Sequence, residues 1–216
     1  MPHVLSETNS IANRFIAELR DVQIQQDSMR FRRNLERIGE IMAYEISKTL
    51  DYHEVAVETP LGNAVQMLPQ NQVVLAAIMR AGLPMHQGML NYFDRAANAF
   101  ISAYRAHNEE GSFEIQLEYV TSPNLDDQVL IISDPMLATG ASMERTLNKL
   151  KELGNPKVIH VAAIIAARQG VMRLRRLFPQ VNIWVGAIDE ELTARAYIVP
   201  GLGDAGDLAY GLKTDS

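Results

Sequence analysis

The chain has 216 residues, of which 47% are hydrophobic and 21% charged, so it can bury a full core and is not expected to be disordered. Its net charge of −6 and pI of about 5.4 argue against a nucleic-acid surface as its main function. Cysteine is absent, which excludes disulfides and thiolate metal sites, and no apolar run approaches the roughly 20 residues that span a bilayer.

The first part of the chain predicts two helices and a hairpin. Its start lacks the basic and then apolar layout of a signal peptide, so we expect a cytoplasmic protein. Residues 54–67 predict two β-rich segments around a turn at 60–63. Residues 9–20 form one predicted helix, and residues 27–50 form a second with an apolar stripe of Phe31, Leu35, Ile38, Met42, Ile46 and Leu50.

Arginines cluster on the other face of the second predicted helix. RNA is one interpretation of such a cluster, but we favour a solvated helix face or a subunit contact. The residues concerned are Arg30, Arg32, Arg33 and Arg37.

Residues 73–79 form a continuous apolar run, which is typical of a central parallel strand covered on both faces. Arg80 follows this run, and Pro84 suits the first turn of the next helix. An arginine at the end of a central strand directs a planar cation into the ligand crevice, where it can bind a diphosphate. The next helix is predicted to face the core with Met85, Met89, Leu90 and Phe93.

Two β-like segments are predicted between residues 99 and 120, joined by a polar and mobile connection at 105–112. His107 in this connection is interpreted as a solvent-exposed loop residue and not as a base. The second segment alternates, with its predicted inward side chains at Phe113, Ile115, Leu117 and Tyr119.

Residues 128–142 combine a buried strand, a loop of small and hydroxyl residues and the start of a helix. Backbone N–H groups and the positive end of the helix dipole converge at such a loop, where a phosphate monoester can bind. Asp134 lies at the carboxyl end of the strand, where α/β proteins bind ligands. A plain capped turn has the same residue types, and the Walker and G-x-G-x-x-G patterns are absent. The helix is predicted at 142–153, with Met143, Leu147, Leu150 and Leu153 on one face.

Strands starting at 73, 129, 158 and 182 alternate with helices, which predicts a parallel sheet with crossovers on both faces. The last segment, 197–207, is dense in glycine and is predicted to be neither helix nor regular strand. A glycine-rich loop lets the backbone approach a flat ligand closely. We therefore predict one domain over 1–216, with an N-terminal arm at 1–70, a core at 71–190 and a glycine-rich ligand loop with the C-terminus at 191–216.

Several motifs resemble those of the uracil phosphoribosyltransferases, a branch of the type I phosphoribosyltransferases. The matching stretches are LRD at 19–21, AYE at 43–45, VETPLG at 57–62, RAGLPM at 80–85, DPMLATGAS at 134–142 and YIVPGLGDAGD at 197–207. The resemblance runs from about residue 19 to 211. Two departures from the usual pattern are Ala106, where the family carries Asp, and Leu212 after Gly211, where it carries a Gly-Thr ending. Pro135 replaces the second acid of the wider fold, as in the uracil branch.

The resemblance implies a type I phosphoribosyltransferase fold, an α/β architecture whose mostly parallel central sheet is flanked by helices, with an arm that helps to build a homodimer or homotetramer. It also implies transfer of ribose 5-phosphate from 5-phosphoribosyl 1-diphosphate (PRPP) to uracil, giving UMP, with Mg²⁺ held mainly by PRPP. GTP is an effector in some relatives. The implied catalytic residues are Asp134, Arg105 and Asp204. The implied PRPP-binding residues are Arg80, Arg105, Asp134, Pro135, Met136, Leu137, Ala138, Thr139, Gly140, Ala141, Ser142 and Asp204. Uracil is expected to bind at Ile198, Gly203, Asp204 and Ala205.

Three alternatives stay open on the sequence. One is a pyrimidine-sensing regulator that binds RNA on the same fold, against which the acidic net charge counts. Another is a phosphoribosyltransferase for a purine such as xanthine or hypoxanthine, which needs a wider pocket. The third is a plain nucleotide-binding or structural module, which the strand-end arginines argue against.

Overall fold

The protein, here a computed structural model, is built on a central sheet in which seven strands follow one another side by side. The structure describes the backbone of residues 1–107 and 113–213 and the side chains of 1–102 and 119–213. The strands are β1 (His3–Val4), β2 (Tyr52–Thr59), β3 (Gly62–Pro69), β4 (Val73–Met79), β5 (Ala97–His107), β6 (Phe113–Thr121), β7 (Val129–Ser133), β8 (Met136–Leu137), β9 (Val158–Ala167), β10 (Asn182–Asp189), β11 (Glu191–Leu192) and β12 (Ile198–Val199). The helices are α1 (Ile11–Arg20), α2 (Ser28–Ser47), α3 (Gly82–Leu90), α4 (Ala141–Lys151), α5 (Arg168–Leu177) and α6 (Ala205–Tyr210). Short 3₁₀ turns occupy Leu5–Glu7 and Ile24–Gln26.

The central sheet has the order β1-β10-β9-β7-β4-β5-β6, and β8 adds to β9. Neighbours from β1 to β5 pair in parallel, whereas β5 and β6 pair antiparallel. Because its strands are buried on both faces, the sheet separates two apolar clusters. Helices α1, α2 and α3 cover one face, and α4 and α5 cover the other. The predicted parallel sheet with crossovers on both faces is confirmed.

The apolar stripe of α2 is confirmed from Phe31 to Ile46, although the helix ends at Ser47 and Leu50 is only partly buried. The arginines on its other face bind groups of their own chain, which accounts for the cluster without RNA. The contacts join Arg30 to Glu18, Arg33 to Glu36, Arg37 to the Asn34 side chain and Arg32 to the Ala209 carbonyl oxygen.

Several sequence expectations are wrong in detail. Helix α4 ends at Lys151, and Leu153, at 39% exposure, lies outside the buried stripe. Tyr119 was expected inward but is 54% exposed, on the edge strand β6. Arg105 and His107 were placed in a loop, whereas strand pairing with β6 carries β5 through His107. The rest of the predicted connection, 108–112, and the side chains of Phe113, Ile115 and Leu117 lie outside the part described.

The predicted hairpin is present as β2 and β3, joined by Pro60 and Leu61, and pairs from Tyr52 with Pro69 to Thr59 with Gly62. Val55 and Ala64 are partly buried, and the other residues of both strands are exposed. The hairpin therefore projects from the body of the protein.

Candidate active site

Two of the predicted ligand loops, the one that follows β4 at Arg80 and the one that follows β7 at Asp134, lie side by side at the carboxyl edge of the sheet, because β4 and β7 are neighbouring strands. The chain leaves β4 through α3 toward β5, and it leaves β7 through α4 toward β9 on the opposite face. Adjacent strands with diverging crossovers leave a crevice in which α/β proteins bind ligands. The two loops also touch, because a Cβ on Gly82 would lie 2.7 Å from the Ser133 carbonyl oxygen. Only glycine permits this approach.

The phosphate loop, residues 134–142, is fixed mainly through its backbone. Met136 and Leu137 form β8, which pairs with β9, and Gly140 precedes α4 with a φ of 77°, a conformation that favours glycine. The Ala141 N–H donates to the Thr139 hydroxyl at 3.3 Å. The loop rests on the start of α5, where a Cβ on Gly170 would lie 2.3 Å from the Ala138 carbonyl oxygen. The shape of the loop therefore depends on close backbone packing.

Asp134 follows β7 directly and faces the loop. One carboxylate oxygen accepts a hydrogen bond from the Met136 N–H at 3.3 Å. Burial raises the pKa of Asp134 to about 7, and that single amide only partly offsets the effect. Such a carboxylate is poorly solvated, so it gains from hydroxyl donors or a developing positive charge.

The base loop, residues 197–207, was predicted to lack regular structure, and this prediction is wrong at both ends. Ile198 and Val199 form β12, which pairs with β11, and helix α6 begins at Ala205. Asp204 caps this helix by accepting the N–H groups of Gly206 and Asp207 at 2.9 and 3.0 Å. Within this loop the helix contributes only its cap, Asp204, and its first three residues, 205–207, and glycines surround them. Such a segment is too short for helical periodicity to reveal it.

The Asp204 carboxylate also pairs with Lys213 at 3.2 Å. Burial acts to raise its pKa, but the Asp207 amide and the Lys213 cation outweigh this effect and lower the pKa of Asp204. The two candidate catalytic aspartates therefore differ, since the pKa of Asp134 is raised and the pKa of Asp204 is lowered.

Arg80, directly after β4, connects this strand end to the base loop. Its Nη2 donates to Asp207 at 3.0 Å and to the Gly211 carbonyl oxygen at 3.4 Å. The peptide bonds Met79–Arg80 and Val199–Pro200 are cis. Arg80 keeps 40% of its side chain exposed, and its neighbour Ala81, but not Arg80 itself, lines the cleft described below.

An ion pair that the sequence did not single out holds the base loop to the body. Asp189, the last residue of β10, accepts both Arg20 guanidinium nitrogens at 2.7 and 2.8 Å and the Gly201 N–H at 2.9 Å. Burial acts to raise the pKa of Asp189, but the Arg20 hydrogen bonds outweigh it and lower the pKa. Asp134 was selected because α/β proteins bind ligands at the carboxyl ends of their strands. Asp189 also lies at such a strand end, so the same argument would have selected it.

One open cleft, enclosing about 800 Å³ including its mouth, brings most of the predicted residues together. Its walls include Asp134, the loop from Met136 to Ser142, Ile198 and the stretch from Gly203 to Ala205. Pro135 is buried behind the loop, where its carbonyl oxygen accepts the Ile164 and Ile165 N–H groups. The side chain of Arg105 lies outside the part described. Further wall residues that sequence reasoning missed are Ala81, Met143, Ala196, Tyr197 and Gly206.

A family model described as uracil phosphoribosyltransferase matches residues 6–212. The chain belongs to the uracil phosphoribosyltransferase family. A uracil phosphoribosyltransferase of Porphyromonas gingivalis is 56% identical over 97% of both chains. A relative of the same name from Pyrococcus furiosus is 39% identical over 91% of this chain and 84% of its own. A third, from Methanothermobacter thermautotrophicus, is 42% identical over 88% and 87%.

Solved structures support the same fold. A protein of Aquifex aeolicus superposes with a TM-score of 0.88 at 30% identity and full coverage of both chains. A hypoxanthine-guanine phosphoribosyltransferase of Bacillus anthracis reaches a TM-score of 0.50 over 74% of this chain and 81% of its own, at 11% identity, which shows the fold alone. The α/β phosphoribosyltransferase fold expected from the motifs is confirmed. The three relatives named above carry the enzyme's name, and the RNA-binding alternative gains no support.

In the part of the chain that the structure describes, no helix is both long and apolar enough to cross a membrane. Within the same residues, no group of three or more His, Asp or Glu side chains forms a ready metal cage. Mg²⁺, however, needs only one or two carboxylates when substrate phosphates supply the other oxygens. Asp134 and Asp204, both on the cleft wall, fit that requirement.

Proposed function

We propose that this protein transfers ribose 5-phosphate from PRPP to uracil, forming UMP and diphosphate. The observation that carries the proposal is that the phosphate loop and the base loop line one cleft. A phosphate group and a flat base can therefore bind side by side. In the transfer, the bond between the ribose C1 and the diphosphate oxygen breaks, and a bond from C1 to the uracil N1 forms. The N1–H bond of uracil breaks as well, and its proton passes to the departing diphosphate or to water.

The 5-phosphate is proposed to bind the N–H groups of residues 137–142 and the hydroxyls of Thr139 and Ser142. These groups surround the N-terminus of α4, an eleven-residue helix whose dipole favours an anion there. The wall residues around them are Met136, Leu137, Ala138, Gly140 and Ala141. These residues contribute no charged side chain, so backbone N–H groups supply the proposed donors besides the two hydroxyls.

Asp134 is proposed to accept hydrogen bonds from the ribose hydroxyls and to stabilise the positive charge that develops on the ring. Arg80 and Arg105 are proposed to bind the departing diphosphate. Asp134 and Asp204 would hold Mg²⁺ together with the oxygens of PRPP, and the ion would supply charge neutralisation to the leaving diphosphate. The proposed reaction needs no side-chain base, because orientation and electrostatics lower the barrier.

Uracil presents an acceptor, a donor and an acceptor along one edge. Backbone groups at Ile198, Gly203 and Ala205 are proposed to match this pattern, next to Asp204. Cytosine would leave buried polar groups mispaired, and each mismatch costs about 1–3 kcal/mol. The base loop would thereby select uracil.

A homodimer or homotetramer is also proposed, formed through the β2–β3 hairpin. An isolated two-stranded hairpin is marginally stable in water, and this one exposes Val65 and Met67 at 67% and 54%. A second copy of the chain would cover these side chains. Sedimentation of the wild type and of Val65→Lys tests this, because the variant should dissociate.

GTP is retained as a proposed effector, and addition of GTP to the activity assay tests it. The cytoplasmic location expected from the sequence stays a prediction.

The deciding experiment is formation of UMP from labelled uracil, PRPP and Mg²⁺, with cytosine and hypoxanthine in parallel reactions. Product from uracil alone would support the reaction and the base together, and omission of Mg²⁺ tests the metal. Product from hypoxanthine would contradict the proposed base. No product with any base, while PRPP still binds, would contradict the proposed reaction.

A further inference from the structure

Gly201 is the point at which the base loop joins the body of the protein. Its N–H is held by Asp189, and its carbonyl oxygen accepts Arg20 Nη1 at 2.9 Å. Both backbone groups of one residue are therefore bound by the two members of a single ion pair. Asp189 is 7% exposed, so this pair is largely shielded from water.

Gly201 is also in direct backbone contact with a proposed uracil-binding residue. With a φ of 58°, it lies so close to Ile198 that a Cβ would approach the Ile198 carbonyl oxygen to 2.1 Å. A displacement of Gly201 toward Ile198 would therefore move the Ile198 backbone as well. Ile198 and Gly203, which flank Gly201, both face the cleft.

The N-terminal segment supports the loop at two further points. The side-chain amide of Gln25 lies against the loop, and in the orientation that turns its nitrogen toward the loop it can donate to the carbonyl oxygen of Leu202 at 2.8 Å. Arg32 on α2 donates to the carbonyl oxygen of Ala209 in α6 at 2.6 Å. The backbone that is proposed to recognise uracil is thus held by side chains from residues far away in sequence.

We propose that Arg20 and Asp189 are positioning residues for the base. Their ion pair fixes Gly201, and through it the backbone of Ile198 and Gly203, in the geometry that matches uracil. This inference rests on the proposed function and adds residues that do not touch the substrate. The phosphate loop has its own supports on β9 and α5, and PRPP is proposed to meet the base loop only at Asp204, so the pair should act more on uracil than on PRPP.

The test compares Asp189→Asn and Arg20→Lys with the wild type in steady-state kinetics. Both variants preserve size and part of the hydrogen bonding but lose the bidentate charged pair. We expect the KM for uracil to rise about 10-fold, the effect of one charged hydrogen bond. The KM for PRPP should stay within about twofold, because the phosphate loop is supported independently.

A matched control is Glu18→Gln on the same helix. Glu18 is also buried and accepts hydrogen bonds from Arg30 and Asn34, but it does not contact the base loop. The Glu18→Gln substitution should lower the Tm without raising the KM for uracil more than the KM for PRPP. If both KM values rise equally in Asp189→Asn, or if only its Tm falls, the pair is merely structural and the inference is wrong.

Amide hydrogen exchange gives a readout that does not require catalysis. Residues 198–204 should exchange faster in Asp189→Asn than in Glu18→Gln, whereas residues 136–142 should be unchanged in both. Equal exchange of 198–204 in the two variants would overturn the inference, whether or not the wild type makes UMP. An inactive wild type with selective exchange would instead contradict the proposed reaction and leave the positioning role of the pair supported.

Discussion

The phosphate loop and the base loop face the same cleft but are built in different ways. Residues 134–142 are held by their own backbone, through β8 on β9 and the tight contact at Gly170. Residues 197–207 are held by charged side chains that come from Arg20, Arg80 and Asp189. The phosphate loop is thus fixed mainly by close backbone packing, whereas the base loop depends on charged side chains in addition to its own strand pairing with β11.

The difference fits the ligands proposed for the two loops. A phosphate is the same in all PRPP-dependent reactions, and a rigid ring of N–H groups at a helix N-terminus binds it without selectivity for the base. A base must be distinguished from its analogues, which requires backbone donors and acceptors at defined positions. Steric changes should therefore impair the first loop, and changes of charge should impair the second.

Loss of the Asp134 charge should have the largest effect on catalysis. In Asp134→Asn, the carboxylate that is proposed to stabilise the ribosyl transition state becomes neutral, so kcat should fall about 100-fold or more. Steady-state UMP formation at saturating uracil and PRPP measures this change. Circular dichroism serves as the control for folding, and unchanged turnover would refute the proposed role.

A single methyl group behind the phosphate loop should have the next largest effect. Gly170→Ala places a Cβ 2.3 Å from the Ala138 carbonyl oxygen, so the loop must shift. Overpacking of this kind costs about 1–3 kcal/mol, and we expect the KM for PRPP to rise about 10-fold. The KM for uracil should change little, which is the reverse of the pattern expected for Asp189→Asn.

Gly88→Ala is the matched control for this steric change. A Cβ there would lie 2.0 Å from the Glu36 carbonyl oxygen, between α2 and α3 and away from the cleft. It should lower the Tm without a selective effect on PRPP. A selective rise in the KM for PRPP in the control, or its absence in Gly170→Ala, would contradict the view that shape fixes the phosphate loop.

The two loops also differ in how far the sequence predicted them. The phosphate loop follows a buried strand and precedes an amphipathic helix, so local patterns located Asp134 and the helix N-terminus. Family motifs located the base loop, but its internal structure was missed because α6 has only six residues and its cap lies among glycines. Local periodicity therefore located the fold and one loop, and it left the details of the other unresolved.

Long-range ion pairs could not be predicted from the same patterns. Arg20 and Asp189 are 169 residues apart and meet only because α1 packs beside the end of β10. The contacts at Gly82 and Gly170 are equally nonlocal, since each depends on a carbonyl group of another element. The sequence contains these residues, but only the assembled sheet shows their partners.

The opposite pKa shifts of Asp134 and Asp204 predict opposite effects of neutralisation on stability. The folded-state pKa of Asp134 is about 7, above its ordinary value of 3.8, so the folded protein holds this proton more tightly than the unfolded chain. Stability contributed by this group is therefore present below about pH 4 and is lost as the pH rises toward 7. Asp134→Asn removes that loss, so its Tm advantage over the wild type should grow between pH 5 and 7 and then level off.

Asp204 has a lowered pKa, so its carboxylate contributes stability that is present above its unfolded pKa and is lost as the pH falls through the folded pKa. Asp204→Asn should therefore lower the Tm at pH 8, by less than Asp134→Asn raises it, because Lys213 is largely exposed and asparagine still caps a helix. Calorimetry between pH 5 and 8 measures the direction of the Tm shift in both variants.

For Asp134→Asn we expect the Tm to rise by about 5 °C, equivalent to roughly 2 kcal/mol once access of water to the cleft is allowed for. A shift of the same sign in both variants would contradict the contrast between the loops. A more stable Asp134→Asn with little turnover would show that the carboxylate is retained for catalysis at the expense of stability.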